Sequence, residues 1–201
     1  MCAVLLLILL CLPLPALAEL FRLDGETLIY DTEVAGADGI DHDHRDTLLT
    51  LLRANPDVST LQLNSGGGKV WAAREMADLI IDFELNTHVH GICESSCVRI
   101  FLAGAGRTMS RGSQIGFHQF YWDPEDVQDY YSRKKAQFDW DTPYDMGSWI
   151  YSDTQTEMHE HLTYMIGRGV DPGFAVRTIG DNGPMWTPYR IELRAAGILT
   201  E

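Results

Sequence analysis

Gly91-Ile92-Cys93-Glu94-Ser95-Ser96-Cys97, read with Gly116-Phe117-His118-Gln119 and Asn64-Ser65-Gly66-Gly67-Gly68, sets both the expected architecture and the expected chemistry of this chain. Each segment follows an apolar run and is punctuated by glycine, the pattern of a strand ending in a turn. A hydroxyl nucleophile needs a base to take its proton and donors to hold the charge that develops on an attacked carbonyl. Ser95 is the candidate nucleophile, His118 the candidate base, and the glycine turn a candidate source of amides. Ser95 sits where a strand pattern gives way to a helical one, so its hydroxyl is expected at a helix N-terminus, where free N–H groups favour negative charge. The N–H of Ser96 is then one oxyanion donor. Gly67 and Gly68 can take backbone angles closed to other residues, so an amide there can be aimed at a carbonyl.

Outward from these turns the periodicity alternates. Leu28-Ile29-Tyr30 reads as a short strand, and residues 43–54 as a helix with Leu48, Leu49, Leu51 and Leu52 on its apolar face, stopped by Asn55-Pro56-Asp57. A strand is expected over 58–63, a helix over 69–85 with Val70, Ala73, Met76, Ala77, Ile80 and Ile81 at helical spacing, and a strand over 87–92. A helix from Ser95 to Gly104 and a short strand within 109–118 complete the alternation. This β-α-β-α-β-α order implies an α/β fold with right-handed crossovers, a mostly parallel sheet, and functional turns at the carboxyl ends of strands. From Tyr121 the chain becomes polar, aromatic and helical, with Pro124 and Pro143 expected as breaks, a helical stretch over 153–167, a turn at Met185-Trp186-Thr187-Pro188 and a last helix over 191–198. No repeat or linker divides it, so one domain with a helical C-terminal portion is expected.

Residues 1–18 form an apolar run broken by Pro13 and Pro15 and closing on Ala16-Leu17-Ala18, the form of a secretory signal peptide cleaved before Glu19. An uncleaved membrane anchor is the competing reading. The domain then spans 19–201, and a periplasmic or secreted location is expected. The net charge of −14 repels phosphate backbones and anionic lipid heads, which argues against a nucleic-acid partner. Cys93 and Cys97 remain as a pair in an exported chain; one helical turn apart, their Cα atoms would be about 6 Å apart, inside the bridging window. A disulfide there rigidifies the backbone on both sides of Ser95. Without it, either thiol is an alternative nucleophile for His118. The pairs His42/His44, His88/His90 and His159/His161 raise a metal reading. Only His88 and His90, on a strand, would share a face as zinc ligands must, and no metal site is expected.

The run Leu63 to Val70 resembles the Asn-Ser-Pro-Gly-Gly turn of the Clp protease proteolytic subunit, Gly91 to Gly104 resembles its nucleophile segment, and Phe117-His118-Gln119 its histidine segment. The three occur in order at fitting spacing, over roughly 61–119 with a weaker echo in the last helix. The resemblance implies the ClpP/crotonase fold, a spiral of β-β-α units. It implies a serine peptidase with Ser95 as nucleophile, His118 as base and the amides of Gly68 and Ser96 as oxyanion donors, with no cofactor. It also implies self-association as rings or trimers. The Cys93-x-Ser95-x-Cys97 arrangement resembles exported bacterial relatives. Gly66 replaces the family's proline, and the third triad member has no clear counterpart; Asp181 is the choice, with Asn182 and Asp171 as rivals. An exported protein meets no ATP, so peptide or protein substrates are expected without an ATP-driven unfoldase. A silent scaffold that keeps the fold is the alternative function.

Overall fold

Six strands form one sheet: β1 (Phe21–Asp24), β2 (Thr27–Asp31), β3 (Thr60–Ser65), β4 (Asn86–Glu94), β5 (Arg107–Met109) and β6 (Gln114–Gly116). Between them run the helices α1 (His42–Ala54), α2 (Val70–Asp82) and α3 (Cys97–Ala103), followed by α4 (Pro124–Lys134), α5 (Pro143–Gly167), α6 (Pro172–Thr178) and α7 (Arg190–Ala195). This computed structural model describes residues 20–33, 38–180 and 183–200. The signal-peptide or anchor reading of residues 1–18 therefore lies outside the described residues, as do Asp181 and Asn182. Among the described residues no helix is long and apolar enough to cross a membrane.

The sheet order is β1-β2-β3-β4-β5, with β6 also on β4. The hairpin β1–β2 is antiparallel, and every other pairing is parallel, as the alternating pattern predicts. In β3, Leu61, Leu63 and Ser65 are buried while Gln62 and Asn64 are half-buried, so one face turns to the core. Leu48 and Leu52 of α1, Ala73, Met76 and Ile80 of α2, and Val98 and Phe101 of α3 share that core. β4 is long because it serves two neighbours: residues 87–89 pair with β5 and residues 92–94 with β6. The C-terminus of α3 presents carbonyls with no intrahelical partner. Arg168 answers them, donating to Leu102 O at 2.9 Å, Ala103 O at 2.7 Å and Gly104 O at 3.2 Å.

Pro124 and Pro143 are not breaks. Each opens a helix, where a missing N–H costs nothing and a fixed φ suits the first turn. Asp123 caps one by accepting from Glu125 N at 2.9 Å, and Asp145 accepts from Thr142 N at 2.8 Å in the capping box of the other. Hence α5 is continuous for 25 residues, longer than the 153–167 stretch expected. The aromatics that follow Tyr121 clamp α4 to α5: Tyr130 of α4 stacks on Trp149 of α5 at 5.8 Å, and Phe138 and Trp140 from the connection pack on the same Trp149 at 5.6 and 5.4 Å.

Candidate active site

Glu94 at the end of β4 lies opposite Gly116 at the end of β6. Ser95 N donates to Gly116 O at 3.0 Å, so the chain leaves both strands side by side, with Ser95 on one exit and Phe117-His118 on the other. Phe117 is fixed by an antiparallel bridge to Trp186 (N···O 2.9 and 2.7 Å) and an edge contact with Phe174. Ser95 itself has φ 55°, a left-handed conformation that non-glycine residues rarely hold. Such strain persists only where surroundings enforce it, and it concentrates at functional sites. Here the enforcement includes a covalent bond. Cys93 and Cys97 form a disulfide with Cα atoms 5.3 Å apart, spanning Ser95, and both cysteines are fully buried. That agrees with the expected pairing and overturns the cysteine-nucleophile alternative, because bonded sulfurs offer no thiolate.

The third turn comes within touching distance. A Cβ added to Gly67, whose φ is 102°, would fall 2.7 Å from Ser95 Cβ and 2.8 Å from Glu94 O, so only glycine permits this approach. Gly66 N donates to Glu33 Oε1 at 2.8 Å and Gly67 N to Ser65 Oγ at 3.2 Å. Gly68 N–H and Ser96 N–H, by contrast, meet no acceptor among the described residues. These two free amides belong to turns tied together by Ser96 Oγ donating to Gly68 O at 3.1 Å.

His118 Nδ1 lies 2.6 Å from the carbonyl oxygen of Gln119. A carbonyl only accepts, so in the neutral ring the proton sits on Nδ1 and the Nε2 lone pair is left to receive one. Ser95 Oγ has no hydrogen-bond partner among the described residues, and catalytic hydrogen bonds often tighten only with substrate in place. Ser95, Ser96 and His118 nevertheless line a single cavity of about 50 Å³.

No known sequence family matches the chain, and no curated protein matches it in sequence. Among solved structures, an asparagine-to-aspartate mutant of ClpP1 from Listeria monocytogenes matches with a TM-score of 0.52 at 17% identity, covering 81% of this chain and 85% of that one. The fold is ClpP-like. At that identity the likeness fixes the backbone architecture alone, and the roles of individual residues rest on the local geometry.

Of the rivals to Asp181, Asn182 likewise lies outside the described residues. Asp171 is occupied as the N-cap of α6, accepting from Phe174 N at 2.8 Å. Of the histidine pairs, His88 engages Thr108 Oγ1 at 2.7 Å and Ser110 Oγ at 2.9 Å, while His90 Nδ1 meets Ser110 Oγ at 3.1 Å. Among the described residues no group of three or more His, Cys, Asp or Glu is placed to hold a metal. The cavity also has walls beyond the expected site residues: Val70 and Arg74 from α2, Arg99 from α3, His161 from α5 and Thr178 from α6. Arg74 lies one helical turn after Val70 in α2, and Arg99 lies in the first turn of α3, two residues after Cys97.

Proposed function

We propose that this protein is a serine hydrolase that cleaves peptide bonds through an acyl-enzyme on Ser95. The observation that carries the reading is the convergence of Ser95, His118 and a free Ser96 amide on one cavity, beside the free amide of Gly68. In the reaction His118 Nε2 takes the Ser95 proton as Oγ bonds to the substrate carbonyl carbon, and the Gly68 and Ser96 amides hold the resulting oxyanion. Collapse breaks the C–N bond, the leaving amine takes the proton from His118, and water then hydrolyses the ester by the same steps. The Gln119 carbonyl orients His118 in the described conformation, and Asp181 is proposed as an additional, secondary orienter. A fluorophosphonate probe tests the assignment. The wild type should be labelled at Ser95 and Ser95→Ala should not.

The Ser95 hydroxyl, without a hydrogen-bond partner among the described residues, favours a second reading, a ClpP-fold scaffold without activity. A folded wild type that takes no label would establish it. Export is proposed from residues 1–18 and fits a buried disulfide, since such bonds persist in oxidising compartments. A mature protein beginning at Glu19 by mass spectrometry is the expected result. Self-association is proposed from the fold likeness, and light scattering should return a multiple of the chain mass.

A further inference from the structure

We infer that the cavity beside Ser95 receives a peptide carboxylate, with Arg99 as its anchor. The inference rests on the hydrolase reading for which bond would be cut, and on the cavity alone for what binds.

The chain carries 29 acidic and 15 basic side chains, yet this cavity is lined by two arginines and, among the described residues, by no carboxylate. Arg74 is partly satisfied, with Nη1 at 2.9 Å from Glu160 and Nη2 at 3.9 Å from Glu157. Arg99 is not. Its guanidinium lies over the Tyr164 ring at 4.0 Å, and no carboxylate pairs with it among the described residues. Asp78 and Glu160 are the acidic groups near enough to influence it, and Glu160 is engaged by Arg74. The Nε atoms of both arginines are buried with no acceptor among the described residues. Buried donors without partners are rare because each has given up water for nothing. Those two atoms lie out of a ligand's reach, but the rest of the Arg99 guanidinium borders the cavity with no anion matched to it among the described residues, and a carboxylate entering there would supply one.

His161 strengthens the case. Its imidazole is pushed down to about 4 by burial first and then by the positive charges of Arg99 and Arg74, so the ring is neutral near pH 7 and the cavity's positive potential comes from the arginines. Size narrows the ligand. A cavity of about 50 Å³ has room for roughly three or four waters, hence for a short side chain or a chain terminus rather than a large aromatic ring. Val98 and Phe117 offer apolar walls to methylenes, and the guanidinium fork matches a carboxylate in two hydrogen bonds.

Two sources supply such a carboxylate: a Glu or Asp side chain preceding the scissile bond, or the free C-terminus of a peptide. N-dansyl-Ala-Ala-Glu amide presents the first, N-dansyl-Ala-Ala-Gln acid the second, and N-dansyl-Ala-Ala-Gln amide neither. Fluorescence anisotropy with the wild-type protein should show at least one of the charged peptides binding about tenfold or more tightly than the uncharged one. Arg99→Met should bring that ratio to about twofold or less, and Arg99→Lys should keep part of it. Equal binding of all three peptides to the wild type overturns the inference, whatever the variants do. Fluorophosphonate labelling without carboxylate preference retains the hydrolase and removes this pocket assignment; preference without labelling does the reverse.

Discussion

At the scale of single residues, the site depends on one backbone approach and one imidazole. Gly67 lies so close to Ser95 that a methyl group there must displace either the glycine turn or the strained serine. Gly67→Ala should therefore lower the fluorophosphonate labelling rate at least tenfold. It should also cost about 1–3 kcal/mol of stability, because the residue holds a left-handed φ. His118→Ala removes the proposed proton acceptor and should slow labelling by about a hundredfold or more, as general-base losses do. Asp181→Ala, measured the same way, should slow it by less than about tenfold, since Nδ1 already has the Gln119 carbonyl as partner. A hundredfold loss in that variant would instead make the carboxylate the principal orienter.

At the scale of elements, α3 is held at both ends. The Cys93–Cys97 bond ties its first residue to β4, and Arg168 secures its last carbonyls. Replacing both cysteines by alanine should cost about 2 kcal/mol on chain-entropy grounds, because the closed loop is short. Labelling should suffer more than stability, since the bond spans the strained serine. Arg168→Ala should lower the thermal midpoint by roughly 5–10 °C, the equivalent of losing about 2–3 kcal/mol of charge-assisted hydrogen bonds. Elements with long apolar periods were legible in the sequence: α1, α2, β3 and β4 differ from expectation by only a few residues at their ends. β1, β5 and α6 were not, being 4, 3 and 7 residues long, too short to show a period. The two prolines misled because a proline stops a helix from within and starts one from its first turn. That Ser95, His118 and the glycine turn lie on adjoining turns was readable, because a hydroxyl, an imidazole and a run of glycines each stand out at the end of an apolar run. The Gln119 carbonyl was not, since any residue supplies one, and Arg99 and Arg74 emerge only when α2 and α3 pack together.

At the scale of the whole molecule, buried titratable groups set the pH range of stability. His161 and His44 are both held below the ordinary histidine range, chiefly by burial, and His161 reaches about 4. Below the unfolded-state value of 6.5 the unfolded chain binds protons that the native chain refuses, so stability is full above about pH 7 and falls as the pH drops towards 4. On the alkaline side Tyr164 is pushed up to about 12 by burial, and Tyr30 is raised as well. Between their ordinary value of 10.0 and those raised values the unfolded chain loses protons that the native chain keeps, so stability falls again as the pH rises. Acid also lessens the net charge of −14, which acts in the opposite direction by relieving self-repulsion. That contribution is spread over the surface and is largely screened in 0.1 M salt, where the Debye length is about 10 Å, whereas the buried histidines are not. Urea unfolding in 0.1 M salt should thus show a plateau between about pH 7 and 9.5. At pH 5 the protein should be less stable than at pH 8 by about 2 kcal/mol from His161 alone. His161→Phe should flatten the acid limb by that amount and leave the alkaline limb in place. An acid limb unchanged in this variant would mean that another group takes up the proton on unfolding.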